Sequence, residues 1–266
     1  MKKNIAIIGC GNMGEALLKG LLRNALFKKT HIIVSDVRTS RRNYIKKLYK
    51  IKVASSSIEA ALKSDIIILA VKPQDVVGLL QEIGLHLKNK LIISIAAGIT
   101  TDTIRKKSNA KRIVRAMPNT PALVGCGITA ISSSKGVGAS DLNIADNIFR
   151  CVGEAVRLKE RYIDAVTAVS GSGPAYFFLL TEAMTKAAVS LGIDNRLAKK
   201  LTAQTLFGAS VLQHVSRLEP SRLREKVTSK GGTTEAALKV FKRRGLEKIV
   251  ADAIKAAAKR AKELSG

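Results

Sequence analysis

The stretch IAIIGCGNMG, Ile5 to Gly14, constrains this chain more than any other. A short apolar run reads as a strand, Asn12 to Leu22 reads as an amphipathic helix, and Gly9, Gly11 and Gly14 follow the order G-x-G-x-x-G. In that setting the first glycine permits a tight turn, the second lets a pyrophosphate approach the backbone, and the third lets the helix pack closely. Free amides at the helix start, at Asn12 and Met13, then face the phosphates. The spacing predicts a dinucleotide-binding strand-loop-helix unit at the head of an α/β domain.

The rest of the first 158 residues extends that pattern. Strand candidates run from Ile32 to Ser35, Ile66 to Val71, Leu91 to Ile95, Arg112 to Arg115, Gly127 to Ile131 and Gly153 to Arg157. Helix candidates from Ser40 to Leu48, Asp75 to Leu87 and Asp141 to Phe149 alternate with them, which predicts a mostly parallel sheet covered by helices. After Tyr162 the alternation stops and helices take over: one opened at Pro174 and ended by Gly192, one from Arg196 to Val215, a short one from Ser221 to Lys226, and a pair flanking Gly245. The division is 1–158 for the α/β domain and 159–266 for the helical one. Phe177, Phe178, Leu179 and Leu180 occupy more than one helix face, so their helix is expected to be buried nearly all round, as at a subunit interface.

Composition narrows the classes further. Forty-six Lys and Arg against 20 Asp and Glu leave a formal net charge of +26, but the bases are scattered and there is no Trp, so no specific nucleic-acid partner is expected. Cys10, Cys126 and Cys151 are far apart and make no metal-ligand spacing; they read as small core residues, with no metal expected. The N-terminus reads as a strand rather than a leader, and no run approaches the roughly 20 apolar residues of a membrane span. A cytoplasmic protein with no membrane partner is the expectation.

Four further features fall at strand ends, where open α/β sheets place their ligand crevice. Asp36 closes the second strand and suits the ribose hydroxyls of NAD, but Arg38, Ser40, Arg41 and Arg42 follow it, and seven basic residues with no acidic one lie between Arg38 and Lys52. These donors favour a 2′-phosphate, so NADPH is the expected cofactor, with NADH possible. AVKPQ places Ala70, Val71, Lys72 and Pro73 at a strand end, and SIAAGI places small Ala96, Ala97 and Gly98 at the next. VRAMPNTPA makes a stiff loop in which Asn119 and Thr120 lie between Pro118 and Pro121.

No catalytic acid is evident: His31, His86 and His214 stand outside every motif. A protonated cyclic imine needs none, because it arrives electrophilic and needs only orientation, a counter-group for its carboxylate, and a hydride. The segment SKGGTT suits such a substrate. Gly231 and Gly232 are expected to expose backbone N–H groups, Ser229, Thr233 and Thr234 to offer hydroxyls, and the helix starting near Glu235 to add its dipole. An ordinary threonine helix cap is the competing reading.

With these pieces assembled, the chain resembles the pyrroline-5-carboxylate reductase family over nearly its whole length. GCGNMG, AVKPQ, SIAAGI, VRAMPNTPA, SGSGPAYFF, AQTLFG and LEPSRLREKVTSKGGTTEAAL occur in family order. The resemblance implies a Rossmann-type N-terminal domain, an all-α C-terminal dimerisation domain, and reduction of 1-pyrroline-5-carboxylate to L-proline with NAD(P)H. It implies pyrophosphate at Gly9 to Gly14, the dinucleotide and nicotinamide along Ala70 to Pro73 and Ala96 to Gly98, and a wall near the ring from Asn119. Substrate would be held by Ser229, Gly231, Gly232, Thr233 and Thr234, with the Thr234 hydroxyl at the ring nitrogen as the catalytic contact. It further implies a homodimer through the C-terminal helices, and a decamer of dimers in a ring beyond it. Three positions depart from the family pattern: Lys230 stands where proline is usual, Ser57 where asparagine often contacts the adenosine side, and Val37 separates Asp36 from Arg38. A β-hydroxyacid dehydrogenase, the nearest rival, would need a lysine where Phe177 stands.

Overall fold

A computed structural model describes residues 1–265. It divides into two compact units, Met1–Ser172 together with the chain from Ala257 onward, and Gly173–Ala256. The first holds an eight-stranded sheet: β1 (Ile5–Ile8), β2 (Ile32–Ser35), β3 (Lys52–Val53), β4 (Ile66–Leu69), β5 (Leu91–Ser94), β6 (Arg112–Met117), β7 (Gly127–Ser133) and β8 (Gly153–Arg157). Their order is β3-β2-β1-β4-β5-β6-β7-β8, and only the β6–β7 pair is antiparallel. Helices α1 (Asn12–Arg23), α2 (Thr39–Tyr49), α3 (Ser57–Leu62), α4 (Pro73–Ile83), α5 (Thr101–Lys107) and α6 (Ala139–Arg150) connect the strands.

The central strands are continuous apolar runs because both faces are covered. Ile5, Ile7, Ile32, Val34, Ile66 and Ile68 pack into one core, and Ala6, Ile8, Ile33, Ile67 and Leu69 into the other, as the two-residue period of a strand requires. Each such isoleucine is worth roughly 1.5–3 kcal/mol of apolar burial. The order reverses direction between β1 and β4, so the carboxyl ends of these two strands flank a crevice.

Several boundaries differ from the sequence expectation. The strand opening at Ile66 ends at Leu69 rather than Val71, and α4 starts at Pro73 rather than Asp75, because proline fits the first helical position. Strand β3 and helices α3 and α5 went unanticipated; at two to seven residues they are too short to display a period. Cys10 and Cys151 are buried as expected, whereas Cys126 is exposed, lying in the turn between Pro121 and β7 rather than in the core.

A short helix α7 (Ile163–Val166) leads into a π-helical turn, Thr167–Gly171, at the end of the first unit. The second unit contains α8 (Gly173–Ser190), α9 (Asn195–Ser216), α10 (Pro220–Lys226), α11 (Thr233–Arg243) and the first part of α12 (Leu246–Leu264). Gly192, at φ +89°, turns α8 back onto α9, and the Thr185 and Thr202 hydroxyls meet at 2.8 Å between them. In the single chain Phe177, Phe178 and Leu179 are 58%, 65% and 66% exposed, so the burial expected of them at a subunit interface is not supplied from within one chain. Two packed helices cannot cover a helix that is apolar all round. The run Glu160–Ser190 is also long and apolar enough to cross a membrane by length and composition, which corrects the expectation that no segment reaches that limit. Its polar members include hydroxyls, Thr167, Ser170, Thr181 and Thr185, that bond back to carbonyls of their own helix.

Candidate active site

The glycine loop is built by close packing. Gly9 adopts φ +88° and donates its N–H to Ser35 O at 2.9 Å; a Cβ there would lie 2.8 Å from the Ala70 carbonyl. A Cβ on Gly14 would come within 2.3 Å of Gly9 O, so the third glycine lets α1 start directly over the turn. Gly11 differs, since a Cβ there meets nothing within 4 Å. It caps α1 without a side chain, and the first amide of the helix to find a backbone acceptor is that of Glu15, on Gly11 O at 2.9 Å. An open glycine with uncommitted amides behind it is a cradle that fits a pyrophosphate.

Around this cradle lies an open groove of about 970 Å³, at the upper end of the range for ligand pockets. Gly9, Gly11, Asn12, Asp36, Arg38, Ser57, Ala70, Val71 and Lys72 all line it. Met13 instead packs against the core, Gly14 is buried, and Pro73 and Ala96 to Gly98 lie outside the lining. Gly98 has a packing role of its own: at φ +75°, a Cβ on it would sit 2.4 Å from Leu264 O.

Asp36 is held from several sides. Its carboxylate accepts from Cys10 N–H at 3.0 Å and from the Arg38 N–H and Nε at 3.0 and 3.1 Å. Burial alone would raise its pKa, but the bonds from Arg38 and Cys10 prevail and hold it below the usual carboxylate range. Of the basic run, Arg38 is open to solvent, with its side chain 62% exposed. Arg42 is committed to Asp36 O at 2.6 Å and to Thr39 Oγ1 at 3.0 Å, and Arg41 to Cys10 O and the Glu15 carboxylate.

Asn119 is only 9% exposed and bridges three segments: its Nδ2 donates to Ser170 O at 3.1 Å and its Oδ1 accepts from Ile128 N–H at 2.9 Å. It therefore ties the proline loop to β7 and to the π-helical turn. On the strand that leads into this loop lies a residue to which sequence reasoning gave no role. Arg115 on β6 is almost fully buried and pairs with Glu160 and Asp164, each at 3.4 Å, while Thr101 donates its amide and hydroxyl to Glu160 at 2.8 and 2.6 Å. The signal was present, because an arginine inside the apolar strand RIVRAM has to find a counter-charge.

In the helical unit, Ser229 to Thr234 form one turn. Gly231 stands at φ +75°, and Gly232 donates to Ser229 O at 3.0 Å. The Gly231 N–H goes to the Glu235 carboxylate at 2.8 Å, so both glycine amides expected to face a ligand are already engaged. That bond, seconded by Lys239, holds Glu235 below its usual pKa. What stays uncommitted among the described residues is the set of hydroxyls on Ser229, Thr233 and Thr234. Because Gly232 is the N-cap of α11, neither threonine acts as the cap.

A doubly wound sheet with a glycine cradle at its switch point, followed by a helical unit, defines an oxidoreductase of the Rossmann type. Across 264 residues the chain is 40% identical to the pyrroline-5-carboxylate reductase of Synechocystis sp., covering 99% of both chains. The chain belongs to the pyrroline-5-carboxylate reductase family. Residues 160–264 match the family model described as pyrroline-5-carboxylate reductase dimerisation, and residues 4–98 that described as NADP oxidoreductase coenzyme F420-dependent. Among solved structures, the chain is similar to a pyrroline-5-carboxylate reductase from Coxiella burnetii, with TM-score 0.93, 37% identity and 100% of both chains covered. It is also similar to the Plasmodium falciparum pyrroline carboxylate reductase solved with NADP bound, with TM-score 0.88, 31% identity and 100% and 99% covered.

Proposed function

We propose that the chain reduces the C=N bond of 1-pyrroline-5-carboxylate to give L-proline, the last step of proline biosynthesis, with NAD(P)H as reductant. The observation that carries this reading is the turn at Ser229–Thr234, with three hydroxyls that no neighbour uses among the described residues, in a chain that matches the family from end to end. In this reading Gly9, Gly11, Asn12, Met13 and Gly14 bind the pyrophosphate, and Asp36, Arg38 and Ser57 the adenosine side. Ala70 to Pro73 and Ala96 to Gly98 flank the dinucleotide, whose reduced nicotinamide supplies the hydride. Asn119 stiffens the wall beside the ring.

Ser229 and Thr233, with the Gly231–Gly232 turn and the amino end of α11, hold the substrate carboxylate. The Thr234 hydroxyl orients the imine nitrogen, which already carries its proton. No further acid is required, in keeping with the absence of histidine from all these segments. The exposed Arg38 favours NADPH over NADH. Residues 1–158 serve as the dinucleotide-binding domain and 159–266 as the dimerisation and substrate domain; the apolar faces of the C-terminal helices pair two chains, and dimers assemble further into a ring. The protein works in the cytoplasm, without a nucleic-acid or membrane partner.

The test is the loss of nicotinamide absorbance on adding 1-pyrroline-5-carboxylate, with NADPH and NADH run in parallel. Rapid loss, faster with NADPH, is expected. A folded protein that binds dinucleotide but does not oxidise it with this imine overturns the assignment.

A further inference from the structure

Three arginines follow the strand end at Asp36, and their surroundings separate them sharply. Both Arg38 and Arg41 line the groove, but Arg38 projects into solvent whereas the Arg41 side chain is only 19% exposed and reaches back to the glycine loop. Its Nε donates to the Cys10 carbonyl and its terminal nitrogen to the Glu15 carboxylate. Glu15 in turn accepts from Tyr49 Oη at 2.7 Å, and the Arg41 guanidinium lies 5.0 Å from the centre of the Tyr44 ring. On its other side, the Cys10 N–H is held by Asp36 at 3.0 Å. The residue between the first two glycines of the cradle is thus gripped at both its N–H and its C=O.

We infer that Arg41 is a positioning residue for the dinucleotide, acting through the Cys10–Gly11 peptide and not through the 2′-phosphate. A trans peptide points its C=O and the following N–H in opposite directions. With the Cys10 carbonyl drawn to Arg41, the Gly11 N–H is turned the other way, and it finds no acceptor among the described residues. Arg41 also neutralises Glu15, a carboxylate in the first turn of α1, where an anionic ligand would otherwise meet a bare negative charge. Both effects act on the pyrophosphate, which NADH and NADPH share. The inference rests on the proposed dinucleotide site, and it assigns the choice between the two cofactors to Arg38 alone.

The experiment titrates NADPH and NADH into the full-length protein by nicotinamide fluorescence and repeats the titrations with Arg41→Ala, Arg41→Lys and Arg38→Ala. Arg41→Ala is expected to weaken both cofactors by the same factor, about 10-fold or more, the size of one lost charge-assisted hydrogen bond. Its kcat at saturating dinucleotide and its KM for the imine stay within about twofold of wild type, which a general loss of structure would not allow. Adding Glu15→Gln to Arg41→Ala restores part of the affinity for both cofactors, because the unpaired carboxylate is gone. Arg38→Ala weakens NADPH alone. Should Arg41→Ala fold poorly, Arg41→Lys carries the same expectation, since a lysine cannot hold the carbonyl and the carboxylate together. A loss confined to NADPH in either Arg41 variant, or unchanged affinity for both cofactors, overturns the inference. A wild type that binds both dinucleotides but does not reduce the imine overturns the proposed activity and leaves this binding test standing; one that binds neither overturns both.

Discussion

Thr234 stands in the first turn of α11, one residue past the position that follows the cap, and its hydroxyl finds no partner among the described residues. Its removal therefore costs the fold little, whereas a hydrogen bond to a charged imine is worth roughly 1.5–3 kcal/mol. Thr234→Ala is expected to lower kcat/KM for the imine about 10-fold or more, with dinucleotide affinity and melting temperature unchanged. Steady-state kinetics at saturating NADPH decide the point, and wild-type values would remove Thr234 from the site. Arg41 is the opposite case, a side chain whose partners are all in place. In the sequence it is one of seven basic residues in a row of donors, and nothing local distinguishes it from Arg38; only the positions of Cys10, Glu15 and Tyr49 do.

Among the strands and helices most were legible, including the four-residue β1 and β2 and the seven-residue α10, whereas β3, α3 and α5 were not. Ile5–Ile8 and Ile32–Ser35 match the expected strands residue for residue because an apolar run buried on both faces ends where its cover ends. The π-helical turn Thr167–Gly171 had no such signature; there Thr167 and Ser170 bond back to Ile163 O and Val166 O and continue the helix. Helix α8, packed on α9 along one side only, carries the clearest consequence of an uncovered apolar face. Phe178 is 65% exposed in one chain, which is costly for a monomer and useful for a pair. Phe178→Glu is expected to shift the protein from dimer to monomer in sedimentation velocity and to abolish reductase activity. A dimer of normal stability and activity would show that another face joins the chains.

Across the molecule as a whole, the α/β unit is not closed by the first 160 residues. Ile163 and Ala168 are fully buried, Leu264 O sits against Gly98, and the Ser265 hydroxyl bonds Asp164 at 3.0 Å. A fragment ending at residue 160 removes Asp164, one of the two carboxylates paired with buried Arg115, along with the fully buried Ile163 and Ala168, so it loses part of a buried charge's pairing and part of the apolar core. Such a fragment is expected to melt well below the full chain and to show no reductase activity; calorimetry and the absorbance assay check both. Full activity in the fragment would overturn the reading in which the helical unit supplies the substrate turn.

The order of the longer strands and helices, the glycine cradle, the basic run after Asp36 and the hydroxyl-rich turn could all be read without coordinates. Each is written within about a dozen adjacent residues, where period and glycine spacing act directly on the backbone. Which groups stay free for a ligand could not be read that way. The Gly231 amide goes to Glu235, Asn119 goes to Ser170 and Ile128, and Arg41 goes to the cradle and not to solvent. A polar group's role depends on whether a distant partner reaches it first, and for Asn119 and Arg41 that partner lies many residues away along the chain, brought near only when the sheet and its helices close.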